Sequence, residues 1–189
     1  MVDEGGFRIA GVVLPRIDRV GVPARGAQHI EQWCQRGHLS KRLVFAARHV
    51  SRAPLPLGHI AALQRGDVVL CDRFTDATFA YQGGGRGFDT GVLTQLEQWV
   101  QSSPQGLREP DVTLWFVLDP RIAAERLSQA RVPDRFESQP VTFFENVHHG
   151  YQRRCDAAPG RFVRIEADRT REQVWASVES ALRKRGVLS

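Results

Sequence analysis

The chain has 189 residues, of which 42% are apolar and 25% are charged, so we expect one globular domain with a sizeable core, which excludes a disordered chain. A formal charge of +5 favours anionic partners such as nucleotides, nucleic acids or acidic surfaces. No stretch approaches the roughly 20 apolar residues that span a bilayer, and no signal peptide is visible. The three widely spaced cysteines indicate a reducing cytosol, without a disulfide framework or metal-binding spacing.

The first 28 residues offer one candidate strand, Ile9 to Leu14, and no phosphate-binding loop. Such a loop has the pattern Gly-x-x-x-x-Gly-Lys-Ser/Thr between a strand and a helix, but no lysine precedes Lys41. This loop and its lysine normally hold the β- and γ-phosphates of ATP. We therefore assign no residue to an ATP phosphate loop and expect poor ATP binding.

A short apolar run, Val68 to Cys71, predicts a buried strand that ends in two charged residues. The run is rich in β-branched residues and follows a glycine, which is typical of such strands. Asp72 and Arg73 come directly after it, and ligands of open α/β sheets lie beyond the carboxyl ends of the strands. An arginine can bind a phosphate with two hydrogen bonds, and an aspartate can hold Mg²⁺ or its water. A solvated surface ion pair is the alternative interpretation.

Three polar side chains share a helical face beyond this pair. Residues 75–82 are compatible with a helix, in which Thr78 lies three residues before Tyr81 and four before Gln82. A hydroxyl, a phenol and a carboxamide can bind a sugar and the edge of a base. The glycine-rich run from Gly83 to Gly87 predicts that the helix ends there in a mobile loop.

The rest of the chain alternates helices and strands. It predicts a helix, a strand, a helix that leads into a basic segment, another helix, a strand and a closing helix. The approximate bounds are 90–101, 112–118, 121–130, 143–151, 161–166 and 170–185. This order indicates a parallel, doubly wound α/β sheet.

Asp72-Arg73-Phe74, Thr78 and the run from Ala80 to Gly87 together resemble the signature of bacterial thymidylate kinases. The resemblance extends from about Leu43 to the C-terminus. It implies a P-loop nucleoside monophosphate kinase-like α/β fold, in a single domain of residues 1–189 whose N-terminal part is incomplete. It also implies a transferase that moves a phosphoryl group from ATP to dTMP, giving dTDP for dTTP biosynthesis, with Mg²⁺. A cytoplasmic homodimer is the expected form, without a nucleic-acid or membrane partner.

The resemblance also gives roles to single residues. Asp72 would be catalytic, orienting the acceptor or holding Mg²⁺. Arg73 would bind the dTMP phosphate. Thr78, Tyr81 and Gln82 would contact the thymine and the deoxyribose.

The segment Leu43 to Arg48 resembles the thymine-binding helix of the family, on which an aromatic ring stacks on the base and an arginine binds its edge. Phe45 is the candidate for stacking, although it could also be a core residue. The family has its arginine four residues after the aromatic, where this chain has His49. Either Arg48 makes the contact from a rotated position or the contact to the base is weakened.

Residues 121–140 resemble the lid of the family. Arg131 and Arg135 flank a Pro-Asp turn and would be the catalytic arginines that neutralise charge on the transferring phosphate. Arg126 and Glu137 are assigned to the lid as well. The alternative is a solvated basic helix end.

Residues 1–42 depart from the family, which has its phosphate loop and an Arg-Glu-Pro-Gly-Gly segment there. We therefore expect a frameshifted, truncated or genuinely divergent N-terminal part, and weak or absent phosphorylation of dTMP. The alternative function is a non-catalytic protein that binds dTMP or another nucleotide. A nucleic-acid-binding protein is disfavoured, because the arginines are spread along the chain without an aromatic-interleaved patch.

Overall fold

A computed structural model describes residues 8–13, 43–46, 57–65, 67–128 and 139–188. The strands are β1 (Arg8–Val13), β2 (Leu43–Ala46), β3 (Val68–Asp72), β4 (Ser102–Ser103), β5 (Gly106–Leu107), β6 (Val112–Val117) and β7 (Phe162–Glu166). The helices are α1 (Leu57–Gln64), α2 (Thr75–Thr78), α3 (Thr90–Gln101), α4 (Pro120–Ser128), α5 (Val141–Ala157) and α6 (Arg171–Lys184). A π-helix, Phe79–Gly85, continues α2 directly.

Five of the strands form one sheet in the order β2-β3-β1-β6-β7, and each neighbouring pair is parallel. The first strand of the chain is therefore the middle strand of the sheet, with β3 on one side and β6 on the other. This arrangement confirms the predicted doubly wound α/β fold.

The sequence of β3 explains why the sheet is covered on both faces. Val68 and Leu70 lie in the same buried cluster as residues of α6, whereas Val69 and Cys71 pack with residues of α1. Successive side chains of a strand point to opposite faces. An uninterrupted apolar run is therefore what a strand buried on both sides requires.

The face covered by α1 is completed by α2, the π-helix and α5. The apolar stripe of α5 is core: Phe143, Val147 and Tyr151 are buried, and they lie in one cluster with Trp115 of β6. This packing holds the segment that follows β3 between the sheet and α5.

The prediction of a helix from Leu43 to Arg48 is wrong for its first four residues. Leu43–Ala46 form β2, and Phe45 pairs with Leu70 of β3. A four-residue apolar run fits a buried strand as well as a helix, and pairing with β3 decides the outcome. Arg48 and His49 lie outside the described residues.

The glycine run does not form a mobile loop. Gly83, Gly84 and Gly85 belong to the π-helix, which crosses α5 at very close range. A Cβ atom on Gly84 would lie 2.5 Å from the backbone oxygen of Asn146, and one on Gly150 would lie 2.7 Å from Cα of Ala80. The glycines therefore serve the close approach of two helices rather than a chain break.

The other predicted elements agree with the structure to within a few residues. The helix predicted for 90–101 is α3, and Asp89 is its N-cap residue. The side chain of Asp89 accepts a hydrogen bond of 3.0 Å from the backbone N–H of Val92. The closing helix is α6, which starts with a capping box formed by Thr170 and Gln173. The loop predicted after α3 contains the short antiparallel pair β4–β5.

Replacing Gly150 by alanine is expected to destabilise the protein. The added methyl group would meet the backbone of Ala80, which cannot move without shifting the π-helix. Overpacking of this kind costs about 1–3 kcal/mol, which outweighs a gain in helix propensity of at most about 1 kcal/mol. Urea unfolding measures the change in the free energy of unfolding.

Gly160→Ala is the matched control, because a Cβ atom at Gly160 meets nothing within 4 Å. Its expected effect stays within about 0.5 kcal/mol. Equal stability of the Gly150→Ala variant and the unsubstituted protein would contradict the close helix crossing.

Candidate functional site

Two parallel strand ends meet where the sequence predicts the site. Val12 of β1 pairs with Asp72 of β3, so the residues after β3 begin beside the carboxyl end of β1. The sheet order reverses between these two strands, with β3 and β2 on one side of β1 and β6 and β7 on the other. Ligands of doubly wound sheets bind at such a switch point. Residues 14–42, which follow β1 in the chain, lie outside the described residues.

Arg73 has a backbone conformation that is unusual for an arginine. Its φ is 62°, and among the described residues no other non-glycine residue has a positive φ. The left-handed region costs an L-residue about 1–2 kcal/mol. Cys71 contributes to holding the turn, since its thiol donates a hydrogen bond of 3.3 Å to the carbonyl oxygen of Arg73. Residues kept in this region are concentrated at ligand sites.

The Arg73 side chain lies over the ring of Tyr81. Its guanidinium carbon is 4.8 Å from the ring centroid, a cation–π distance. The Tyr81 ring is itself held by edge contacts to Phe143 and Tyr151 of α5, with centroids 6.2 and 6.3 Å away. Two residues that the sequence assigned to one site are therefore in contact, and the aromatic core of the protein supports them.

The other polar residues of this segment lie on the same continuous helix. Thr78 ends α2, Gln82 lies in the π-helix, and both side chains are half-buried. The carboxamide oxygen of Gln82 accepts a hydrogen bond of 3.2 Å from Arg86. The wider π-turn changes the spacing on which the predicted common face of Thr78 and Gln82 relied.

A buried carboxylate that the sequence analysis did not single out lies just beyond Arg73. Asp76, in the first turn of α2, is 1% exposed. Its two oxygens accept hydrogen bonds from both terminal nitrogens of Arg161, at 2.6 and 2.9 Å, and from Nε of Arg154 at 2.7 Å. The hydroxyl of Thr113 lies 3.3 Å away. This is a fully bonded buried carboxylate, which is how a charge is tolerated in a core.

Two glutamates extend the cluster toward the surface. Arg154 contacts Glu97 of α3 at 3.0 Å, and Arg161 contacts Glu109 at 3.4 Å. Glu97 is buried, whereas the side chain of Glu109 is 43% exposed. The ion cluster of Asp76, Arg154, Arg161, Glu97 and Glu109 thus joins α2, α3, α5 and the start of β7.

The arginines keep Asp76 ionised. Burial alone would raise the pKa of Asp76, but the hydrogen bonds and charges of Arg161 and Arg154 outweigh it and lower the pKa below its usual value. Burial likewise opposes the charge of Arg161, yet its bonds to Asp76 raise the pKa of that guanidinium. Both groups are therefore charged at neutral pH.

The sequence did contain a signal for this cluster. Phe74, Ala77 and Ala80 surround Asp76 in the chain and all are buried, so a short helix of this composition has no wide polar face on which a carboxylate could be solvated. The partners could not be identified in the same way, because Arg154 and Arg161 lie 78 and 85 residues away in the chain.

A small cavity of about 60 Å³ lies behind the Tyr81 ring, between β6, α4 and α5. Its lining includes Trp115, Phe144, His148 and Tyr151. Burial, with the charges of His149 and Arg164, lowers the pKa of His148 and favours its neutral form. A cavity that binds benzene is about 150 Å³, so this one has room for water but not for a nucleobase.

Comparison with known proteins identifies the family of the chain. A family model described as "Thymidylate kinase" matches residues 27–178. The chain is 56% identical over 153 residues to a thymidylate kinase of Albidiferax ferrireducens, covering 78% of this chain and 69% of that protein. Thymidylate kinases of Paracidovorax citrulli and a Polaromonas species are 55% and 50% identical, over 77% and 78% of this chain and 66% and 71% of their own lengths.

The chain belongs to the thymidylate kinase family. Members of this family are nucleoside monophosphate kinases of the P-loop fold, transferases that act on dTMP with ATP as phosphate donor and generally with Mg²⁺. The chain spans about two thirds of the length of these relatives. The family match begins at residue 27, earlier in the chain than the resemblance noted from Leu43.

Several residues assigned from the thymidylate kinase resemblance are not described by the structure. Arg131, Arg135 and Glu137 lie outside the described residues, and so do the side chains of Asp72 and Arg126. The backbone of Asp72 ends β3 and that of Arg126 lies in α4. Their roles stay predictions, and so does that of Phe45, whose side chain is also outside the described part.

Two features are absent from the described part of this thymidylate kinase family member. There, no three His, Cys, Asp or Glu side chains form a group that could hold a metal ion. In the same residues, no helix has the length and apolar character needed to cross a membrane. Mg²⁺ needs no such group, because it binds through one or two carboxylates together with phosphate and water oxygens.

Replacing Asp76 by asparagine is expected to lower the free energy of unfolding by about 3–5 kcal/mol at neutral pH, because it removes the buried carboxylate that bonds both arginines and leaves only Glu97 and Glu109 as their counter-charges. The folded-state pKa of Asp76 lies below its usual 3.8. The carboxylate therefore contributes its full stabilisation above that pH and loses it as the pH falls further. Urea unfolding from neutral pH to about pH 3 measures the difference in the free energy of unfolding between the two proteins. This difference should be constant near neutral pH and become smaller in the acid range.

The control is Glu179→Gln, which breaks an ion pair on the surface of α6 that spans 2.9 Å to Arg183. Its expected cost is below about 1 kcal/mol. A loss as small as this for Asp76→Asn, or a difference that becomes larger in acid, would contradict the stabilising role of the cluster.

Proposed function

We propose that this protein binds dTMP beyond the carboxyl end of β3 and transfers the γ-phosphoryl group of ATP to it, giving dTDP for dTTP synthesis. The observation that carries the proposal is Arg73, with φ at 62° and its guanidinium 4.8 Å from the Tyr81 ring, at the switch point of the sheet. The transfer is slow, because the sequence before Lys41 lacks the lysine and glycine pattern that hold ATP phosphates. Residues 1–189 act as one domain, in which residues 1–42 are atypical.

Arg73 binds the dTMP phosphate with two N–H donors of its planar guanidinium. The cation–π contact with Tyr81 supports this role, because it restricts the side chain before the ligand arrives. A guanidinium that is already oriented loses less conformational entropy on binding.

Thr78, Tyr81 and Gln82 contact the deoxyribose and the thymine. Their half-buried positions on one continuous helix support this role, since each keeps a polar group near the guanidinium-bearing turn. Phe45 stacks on the base and Arg48 binds its edge. The pairing of Phe45 with Leu70 supports this role, because it puts Phe45 on the strand next to β3, on the same side of β1 as Arg73.

Asp72 is the residue that would hold Mg²⁺. An aspartate directly at the carboxyl end of β3, beside the end of β1, is a hard oxygen donor of the type that this ion prefers. When bound, the ion would neutralise charge on the phosphates. Asp72 itself would orient the acceptor phosphate through a water molecule of the ion, whose O–H groups can donate to both the carboxylate and the phosphate.

The catalytic arginines are Arg131 and Arg135, and Arg126 and Glu137 belong to the same lid of residues 121–140. The position of α4 supports this assignment, because α4 follows β6 at the carboxyl edge of the sheet and leads into these residues. Phosphoryl transfer needs positioning and charge neutralisation rather than a covalent nucleophile. The guanidinium groups of arginines supply the charge neutralisation.

Replacing Arg73 by alanine is expected to weaken dTMP binding by about 10- to 100-fold, because hydrogen bonds to charged groups are worth about 1.5–3 kcal/mol. The affinity for thymidine, which lacks the phosphate, should stay unchanged. Titration calorimetry with both ligands measures the two affinities.

Arg183→Ala is the matched control, since Arg183 pairs with Glu179 on α6, which packs on the opposite face of the sheet. It should leave both affinities unchanged. Equal weakening of dTMP and thymidine in Arg73→Ala would contradict a phosphate contact.

A non-catalytic dTMP-binding protein is the second candidate, favoured by the absence of a lysine before Lys41. The two candidate functions differ in whether the protein binds ATP and transfers its phosphoryl group. Calorimetry with ATP and a coupled assay for ADP release separate them, with the Albidiferax ferrireducens relative as reference. Weak ATP binding and a kcat lower by about 10²–10³, the cost of losing a transition-state donor, support a slow kinase; no ATP binding and no turnover support the binding protein.

We also propose a homodimer, formed through the exposed side of α3. Val92, Leu96 and Trp99 follow one another at helical spacing and are 44%, 41% and 72% exposed, with Phe88 at 50% just before the helix. A contiguous apolar strip of this kind supports a protein interface. The cysteines among the described residues, Cys71 and Cys155, are thiols rather than disulfides, which supports a reducing compartment such as the cytoplasm.

Trp99→Lys is expected to yield a monomer at concentrations where the unsubstituted protein is a dimer, because it puts a charge at the most exposed residue of the apolar strip. Light scattering after size exclusion gives the mass in solution. Gln98→Lys, on an exposed neighbouring position away from the strip, should leave the dimer intact. A monomeric unsubstituted protein would contradict the interface.

A further inference from the structure

The turn between β3 and α2 has no side-chain cap to fix it. Phe74, the N-cap residue of α2, is extended, with φ at −130° and ψ at −155°, and offers no capping side chain. Its carbonyl oxygen accepts a hydrogen bond of 3.1 Å from Ala77. Arg73, directly before it, has the left-handed backbone that an arginine rarely adopts. The Cys71 thiol bonds the Arg73 carbonyl oxygen within the turn, and a contact from outside the turn would hold it further against relaxation.

Asp76 supplies that contact from three residues farther along the chain. The strand register aligns Cys71 of β3 with Gly11, Thr113 and Phe162 in one row across the sheet. Two of the partners of Asp76, Thr113 and Arg161, come from the half of this row beyond Gly11: Thr113 belongs to it, and Arg161 directly precedes Phe162. Asp76 therefore fastens the β3–α2 turn to the opposite half of the sheet, across β1.

The same carboxylate fixes both partners of the cation–π contact. Arg73 precedes Asp76 by three residues, and Tyr81 follows it on the same continuous helix. Arg154, the second arginine on Asp76, comes from α5, which also packs against the Tyr81 ring. A shift of Asp76 would therefore move the turn that carries Arg73 and the helix that carries Tyr81.

We propose that Asp76, bound by Arg161 and Arg154, is a positioning residue that holds Arg73 in its left-handed conformation over Tyr81. The effect of this positioning on nucleotide affinity rests on the proposed function, in which Arg73 binds the dTMP phosphate. An ion cluster that only stabilised the fold would not determine the position of the Arg73 side chain over Tyr81. Apolar residues of similar volume could then replace the cluster.

The test is nuclear magnetic resonance of the isotope-labelled full chain, which reads the contact without any nucleotide. In the unsubstituted protein, the side-chain protons of Arg73 should give nuclear Overhauser contacts to the Tyr81 ring and upfield ring-current shifts. Asp76→Asn should abolish both signals. Val178→Ala, which removes core volume on the opposite face of the sheet, is the control for lost stability and should keep both.

Arg161→Lys is the second variant, used if Asp76→Asn does not fold. It keeps the charge but cannot make the two parallel hydrogen bonds to Asp76, and it should weaken the same contacts. The proposal is overturned if the signals persist in the variant that folds, if Val178→Ala loses them equally, or if the unsubstituted protein lacks them.

Calorimetry with dTMP and thymidine then tests the consequence. Asp76→Asn should lower the preference for dTMP over thymidine by about 10- to 100-fold, since a small displacement of a positioned group has effects of that size. A preference that stays unchanged after the contact is lost would reject the link to phosphate affinity. A missing preference in the unsubstituted protein would reject the phosphate site of the proposed function, while the resonance experiment still decides the positioning role.

Discussion

The parallel pairing of β1 with β3 is the constraint on which the rest of the protein depends. It brings Val12 beside Asp72, so the charged residues that follow β3 emerge next to the carboxyl end of the central strand. The reversal of strand order at this point opens a crevice there. The strand β3 is covered by α1 on one side and by α6 on the other. Because both of its faces are buried, its sequence is an uninterrupted apolar run.

Much of this arrangement could be predicted from the sequence, because its signals are local. The β-branched run before Asp72 predicts a buried strand, and the spacing of Phe143, Val147 and Tyr151 predicts the core face of α5. The resemblance to thymidylate kinases also follows from a contiguous stretch, from Asp72 to Gly87. Two local predictions failed where tertiary contacts prevailed. Pairing with β3 made Leu43–Ala46 a strand, and packing against α5 kept Gly83–Gly85 helical.

The contacts of Asp76 could not be predicted from the sequence for a different reason. Arg154 and Arg161 are two of many arginines in the chain, and nothing in their immediate surroundings marks them as partners of one buried carboxylate. Only the register of β3, β1, β6 and β7 brings the start of β7 level with the end of β3. The burial of Asp76 was foreseeable from its apolar neighbours; the identity of its counter-ions was not.

The π-helix has a geometric consequence beyond its tight fit against α5. A π-turn is equivalent to an α-helix that has gained one residue, and each residue of an α-helix turns the chain by about 100°. Within the segment Phe79–Gly85, the residues after Tyr81 are thereby rotated about the helix axis by roughly a quarter turn relative to an uninterrupted α-helix. The direction in which Gln82 faces is thus set by a single residue's worth of chain, accommodated where three glycines leave the backbone room to widen.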